Sequence, residues 1–173
     1  MKQDEKGFTL IELIVAIAIS AMIAAGASTT MAQIFRVSQC NSDWTTAVRQ
    51  VQNVGYWVSQ DVLMAQTANV SDDPETADSE FIIMNWKDWE TGDTYDIRYI
   101  WLDSADSLKK LKRKQLTRDK DGVEIGNETT MVADNIYTAN LSGQNGAWSL
   151  SVEAHSGDRS SIGEYEISQR LEQ

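Results

Sequence analysis

Apolar residues crowd the beginning of the chain and then settle into two successive rhythms. The run Leu13–Ala27 reads LIVAIAISAMIAAGA, and between Lys6 and Arg36 the only charged residue is Glu12. Extended from Phe8 to Phe35, this stretch exceeds the about 20 residues, at ~1.5 Å rise each, that a helix needs to cross a bilayer. From Val37 onward the apolar positions are Val37, Cys40, Trp44, Ala47, Val51, Val54, Val58, Val62 and Ala65. Steps of three and four keep them on one helical face. No proline occurs before Pro74, so the pattern predicts one helix from Phe8 to Gln66, roughly 90 Å long. Residues 8–35 form its all-apolar half and 36–66 its amphipathic half. Cys40 falls on the apolar stripe and reads as a small core residue. Gly55 lies inside the helix, where it costs about 1 kcal/mol relative to alanine, unless a strand needs to approach closely there.

Residues 67–80, TANVSDDPETADSE, are polar and acidic around Pro74 and read as a surface loop. Beyond them the period drops to two over residues 81–173. Phe81–Trp86 is a compact apolar run; Tyr95, Ile97, Tyr99 and Trp101 alternate with other residues; so do Trp148, Leu150 and Val152, and Tyr165 with Ile167 begins a last strand. Turn signals separate them at Thr91-Gly92-Asp93, Asp121-Gly122 and Ser142–Gly146. The expected fold class is α+β: a long N-terminal helix whose amphipathic half packs on a C-terminal antiparallel sheet.

Composition narrows the function. A chain of 173 residues has room for one domain and an anchor. A net charge of −11 opposes general affinity for nucleic acid or acidic lipid. Cys40 is the only cysteine and His155 the only histidine, which rules out an intrachain disulfide and Cys/His zinc sites. There is no glycine-rich phosphate loop and no nucleophile motif, and a head of about a hundred residues covered by a helix leaves little room for a deep pocket. Neither an enzyme nor a cofactor is expected.

Three accounts fit an apolar N-terminal segment. One is a secretory signal peptide cut at Ala25-Gly26-Ala27, releasing a binding domain. Another is a plain anchor holding a monomeric receptor. Neither explains Glu12, because a carboxylate at the centre of a membrane helix costs on the order of 2.5–3.5 kcal/mol. The third comes from the residues Gly7-Phe8-Thr9-Leu10-Ile11-Glu12, within KGFTLIELIVAIAIS, which resemble the N-terminus of type IV prepilins and type II secretion pseudopilins. The resemblance implies a ladle-shaped fold and a leader of residues 1–7, removed after Gly7 by prepilin peptidase. Phe8 would become the methylated N-terminus, and Glu12 the intramembrane acid beside the amine of a neighbouring subunit. It further implies other pilin or pseudopilin subunits, an inner-membrane assembly platform and membrane lipid as partners. The N-terminus would be cytoplasmic, the head periplasmic or extracellular, and the product a surface filament.

The chain departs from many major pilins in lacking a mid-helix proline and the cysteine pair that braces their C-terminal region; Gly26 is where the helix could soften instead. The segment Ser59–Ala65 resembles the helix end of J-type minor pseudopilins and W-type minor pilins, which implies a minor subunit. Glu12 argues against the capping K-type subunit.

A basic cluster, Lys109, Lys110, Lys112, Arg113 and Lys114, interrupts the acidic head and continues toward Arg118 and Lys120. It is read either as the solvated face of a strand entering the Asp119–Gly122 hairpin or as a contact for an acidic neighbour or nucleic acid. No aromatic side chain is interleaved to stack bases, so nucleic acid is the poorer fit. Asp119, Asp121 and Glu124 lack the spacing of a twelve-residue calcium loop and read as a hairpin turn. The sequons at Asn69, Asn127 and Asn140 carry no weight in a bacterial surface protein.

Overall fold

The computed structural model describes residues 9–70, 79–103, 108–144 and 146–168. The chain divides into two compact units, residues 1–42 and 43–173.

Helix α1 spans Leu10–Met64, within the range expected from the hydrophobic pattern. In the first unit its residues are exposed on every side. In the second unit the apolar stripe is buried from Ala47 on, through Val51, Val54, Val58 and Val62. The expected stripe began earlier, and here the structure corrects it: Cys40 is exposed, as are Val37 and Trp44 at 60% and 56%. The three–four periodicity locates a face but says nothing about where the sheet beneath it begins.

The helix stops by handing its backbone to the sheet. Ala65 N donates to Asp61 O at 2.9 Å and Gln66 N donates to Asn85 O at 3.0 Å. The Gln66 side chain adds a donor to Lys87 O and an acceptor for Lys87 N, at 3.3 and 3.2 Å. The chain therefore enters a strand at once, β1 (Thr67–Val70), where a loop over 67–80 was expected. Polar composition hid it, because β1 is an edge strand with most of its side chains exposed.

Six more strands follow: β2 (Ser79–Lys87), β3 (Thr94–Asp103), β4 (Lys109–Arg118), β5 (Glu124–Gln144), β6 (Ala147–Ser156) and β7 (Arg159–Ser168). They form one antiparallel meander in sequence order. Each strand is followed in sequence by its sheet neighbour, which keeps the entropy lost on loop closure small. β5 is long because it serves two neighbours. It pairs with β4 up to Ile136 and with β6 from there on, with register shifts at the change. Those irregularities spoil the alternation that sequence periodicity relies on.

Alternation elsewhere sets the core. Met84, Ile97, Tyr99, Leu111, Leu150, Val152 and Ala154 are fully buried with the valines of α1. Burying each large side chain contributes roughly 1.5–3 kcal/mol. Close approach is fixed at Gly55, where a Cβ would run into the ring of Tyr165 on β7. Tyr165 also donates its hydroxyl to Val51 O at 3.2 Å. The glycine thus has the close-packing role its position suggested.

Gly55→Ala tests this packing. Alanine recovers about 1 kcal/mol of helix propensity, but overpacking against Tyr165 costs about 1–3 kcal/mol. The expected result is a lower denaturation midpoint, largely relieved when Tyr165→Ala is added; a rise in midpoint for Gly55→Ala alone would contradict the account.

Candidate functional site: the N-terminal segment and the basic strand

Gly7 and Phe8 lie outside the described residues. The next residues form the first turn of α1 and build a reciprocal cap. Thr9 N and Thr9 Oγ1 both donate to Glu12 Oε2, at 2.9 and 2.8 Å, and Glu12 N donates to Thr9 Oγ1 at 3.4 Å. This is the Thr-x-x-Glu capping box, in which an N-cap hydroxyl and the acid three residues on satisfy each other's amides. Thr9 is a functional neighbour of Glu12 that the sequence reading lacks, although the three-residue spacing carries the signal. One carboxylate oxygen, Oε2, is committed to the cap. The other, Oε1, has no hydrogen bond among the described residues and can take a cation.

Around this acid the surface is apolar. Leu10, Ile11, Leu13, Ile14, Ile17 and Ile19 are each more than half exposed. Among the described residues α1 is the one helix long and apolar enough to cross a membrane. An ionised carboxylate in hydrocarbon demands a counter-charge, so chemically the segment offers an anionic socket on an otherwise apolar helix.

The basic cluster resolves into two groups, because side chains alternate along β4. Leu111 and Arg113 turn toward α1, while Lys110, Lys112 and Lys114 lie on the opposite face of the sheet. Arg113 is buried at 7% exposure and does not belong to the surface cluster in which the sequence placed it. Its Nε and Nη2 bind Asp61 of α1 at 2.7 and 2.8 Å, its Nη1 donates to Gln115 Oε1 at 2.9 Å, and it lies 5.1 Å from the Trp57 ring centre. Tyr99 completes the group by donating its hydroxyl to Asp61 Oδ2 at 2.6 Å.

Desolvation pushes the Tyr99 hydroxyl far above its usual range, with the Asp61 charge adding to it, so the ring stays neutral. Desolvation alone would lower the Arg113 guanidinium, but its hydrogen bonds to Asp61 and the Asp61 charge outweigh that and raise it. Both signals were present in the sequence. Asp61 sits between Val58 and Val62 on the apolar stripe, and Arg113 shares the parity of Leu111.

Of the remaining lysines, Lys109 and Lys114 are exposed and Lys110 and Lys112 half-buried. Lys109 lies over the Trp101 ring at 5.6 Å. Lys110, Lys112 and Lys114 have no ion-pair partner among the described residues. By contrast, Arg98 beside them bonds Glu80 at 2.8 Å, a contact that holds its guanidinium above the usual range. At the end of β4, Asp119 Oδ1 accepts from Asp121 N and Val123 N at 2.9 and 2.8 Å, and Gly122 takes φ +82°. The acidic trio there is a hairpin turn, with Asp119 spent on the backbone.

Arg113→Ala separates the buried from the exposed basic residues. It leaves Asp61 buried without its counter-ion and is expected to cost about 3–5 kcal/mol. Lys114→Ala, at an exposed position, should stay within about 0.5 kcal/mol. Urea midpoints of the two variants decide the point; equal effects would contradict the assignment.

Residues 2–28 match the family model described as the prokaryotic N-terminal methylation motif. No curated protein and no solved structure matches the chain. The matched segment holds Gly7, Phe8, Thr9 and Glu12, and the structure supplies a long apolar N-terminal helix and an antiparallel sheet. The chain carries the signature of type IV pilin and pseudopilin precursors on a pilin-like α+β fold.

Proposed function

We propose that this chain is a structural, minor subunit of a type IV pilus or type II secretion pseudopilus. In this reading residues 1–7 are a leader removed by prepilin peptidase after Gly7, and Phe8 becomes the methylated N-terminus. Residues 8–35 anchor the precursor in the inner membrane and later pack with other subunits. Residues 36–66 join that segment to the head formed by residues 81–173, and the N-terminus starts on the cytoplasmic side.

The observation that carries the proposal is Glu12, the only charge in the exposed apolar part of α1, directly inside the methylation motif. Cleavage after Gly7 creates a cationic amine on Phe8, four residues before a carboxylate whose Oε2 is already bonded to Thr9. The amine of a neighbouring copy can approach Oε1, and within a low-dielectric bundle that pairing neutralises both charges. The assembly platform would then extract subunits in which the pair has formed. Minor status rests on the form of the helix end near Asp61 and on the lack of a second cysteine. The role is mechanical, and no cofactor enters it.

Replacing Glu12 by alanine leaves the neighbour's amine unpaired in hydrocarbon, at about 3–5 kcal/mol per contact. Cells producing Glu12→Ala should process the precursor normally yet incorporate little of it into sheared surface filaments. Undiminished incorporation would show that Glu12 pairing does not drive assembly, and correct function as a single anchored copy absent from filaments would point instead to a monomeric receptor.

A further inference from the structure

The second unit carries two exposed patches of opposite charge, each with apolar residues inside it. The first is the face of the sheet turned away from α1. Lys110, Lys112 and Lys114 stand at alternate positions there, about 7 Å apart, with Lys114 exposed and Lys110 and Lys112 half-buried. Met131 and Thr129 of β5 pair with Lys112 and Lys114. Met131 is 44% exposed, and Ile100, opposite Lys112 on β3, is only half-buried. A solvated sheet face ordinarily carries polar side chains at such positions. In a chain with 26 acidic residues, three neighbouring lysines without an ion-pair partner among the described residues are a second departure.

The other patch is the end of the sheet formed by the β2–β3 and β4–β5 turns. These turns lie side by side, for a Cβ added at Gly92 would stand 3.3 Å from Cβ of Lys120. Trp89 at the first turn is 87% exposed, and Val123 and Ile125 after the second are 59% and 57% exposed. Asp88, Glu90, Asp93, Asp119, Asp121 and Glu124 surround them, against Lys87 and Lys120. Both turns are braced from within: Asp88 Oδ1 accepts from Glu90 N and Thr91 N, and Asp119 holds the second turn as described. An indole held out in water on a well-formed turn gains nothing for the fold, and exposed apolar groups rimmed by charge mark contact surfaces.

We infer that the acidic, Trp89-bearing end of one copy docks on the lysine-bearing sheet face of a second copy. The occupant follows from charge complementarity within a single sequence. Each copy offers both halves of the contact, and apolar residues lie inside both charged rims. Because the two halves are different surfaces, the contact is heterologous. Repeated from copy to copy, it generates an open helical array rather than a closed pair. The inference rests on the filament reading above but not on minor status, since an array of this contact needs many adjacent copies, and it adds a heterologous contact between heads that is independent of Glu12. It also assigns Lys110, Lys112 and Lys114 an acidic neighbour of the same kind, which accounts for their having no ion-pair partner among the described residues.

The test uses the full chain, produced with its peptidase and left in the membrane, in a Cys40→Ser background. One tagged copy carries Thr129→Cys beside the lysines and a differently tagged copy carries Thr91→Cys at the turn; neither change touches a charge. A flexible bis-maleimide should join the two tags. Lys110→Glu, Lys112→Glu and Lys114→Glu together should cut that adduct at least about tenfold, equivalent to ~1.4 kcal/mol. Glu90→Lys with Asp121→Lys on the other copy should restore it, which also shows that the reversed chain is folded. A chain bearing both cysteines should give a ladder beyond dimers. No adduct, an adduct indifferent to charge reversal, a ladder that stops at dimers, or a lysine-dependent adduct to a different protein would each overturn the inference. Glu12-dependent filaments without the adduct would remove this contact and leave the filament reading standing. The adduct without filaments would do the reverse.

Discussion

Helix α1 has to be compatible with two different surroundings, and most of the remaining structure follows from how its sequence is divided. Up to Phe35 its side chains are apolar on all sides, and water is a poor solvent for such a surface. From Ala47 onward only one stripe is apolar, and the sheet covers it. A helix of the first kind is stable in lipid or among other apolar helices; one of the second kind needs a partner layer. Against that background Glu12 costs on the order of 2.5–3.5 kcal/mol in a membrane. The capping box with Thr9 satisfies one of its oxygens locally and orders the first turn, so the carboxylate is held in place.

The second unit depends on a buried charge as well, but one with its counter-ion supplied internally. Asp61 reaches from α1 to Arg113 on β4 and Tyr99 on β3. Such a pair contributes little net stability compared with a well-packed apolar replacement. Its stronger effect is on register. A one-residue slip of β4 would exchange its faces, burying Lys112 and expelling Arg113. Only the observed register gives Asp61 its guanidinium. The same constraint that seats Arg113 therefore sends Lys110, Lys112 and Lys114 outward together. The internal ion pair and the external basic face are two consequences of one alternation.

Much of this was legible in the residues. The helix, the α+β class, the hairpin at Asp119–Gly122 and the close approach at Gly55 all follow from periodicity, breaker residues and the absence of a Cβ. The misses have common physical causes. Strand β1 is polar and lies at an edge, so burial leaves no mark on its composition. The burial of the helical stripe begins at Ala47 rather than at Val37 because the limit is set by the sheet, a tertiary fact that local spacing cannot carry. Arg113 was grouped with its neighbours by charge, whereas parity with Leu111 separates them. Thr9 was read as part of an apolar run, while its hydroxyl caps the helix. The irregular β5 resists any period-two reading, since it changes partners at Ile136.

The proposed assembly depends on one covalent event, the proposed removal of residues 1–7 to expose an amine at Phe8. The most direct test is the intact mass of the mature N-terminal segment from a strain carrying its native prepilin peptidase. A chain that begins at Phe8 and carries one methyl group on its amine is the predicted result. A chain that begins at Ser28 would mean that the apolar segment is an ordinary signal peptide. Glu12 would then be discarded with it, and the assembly account would fail.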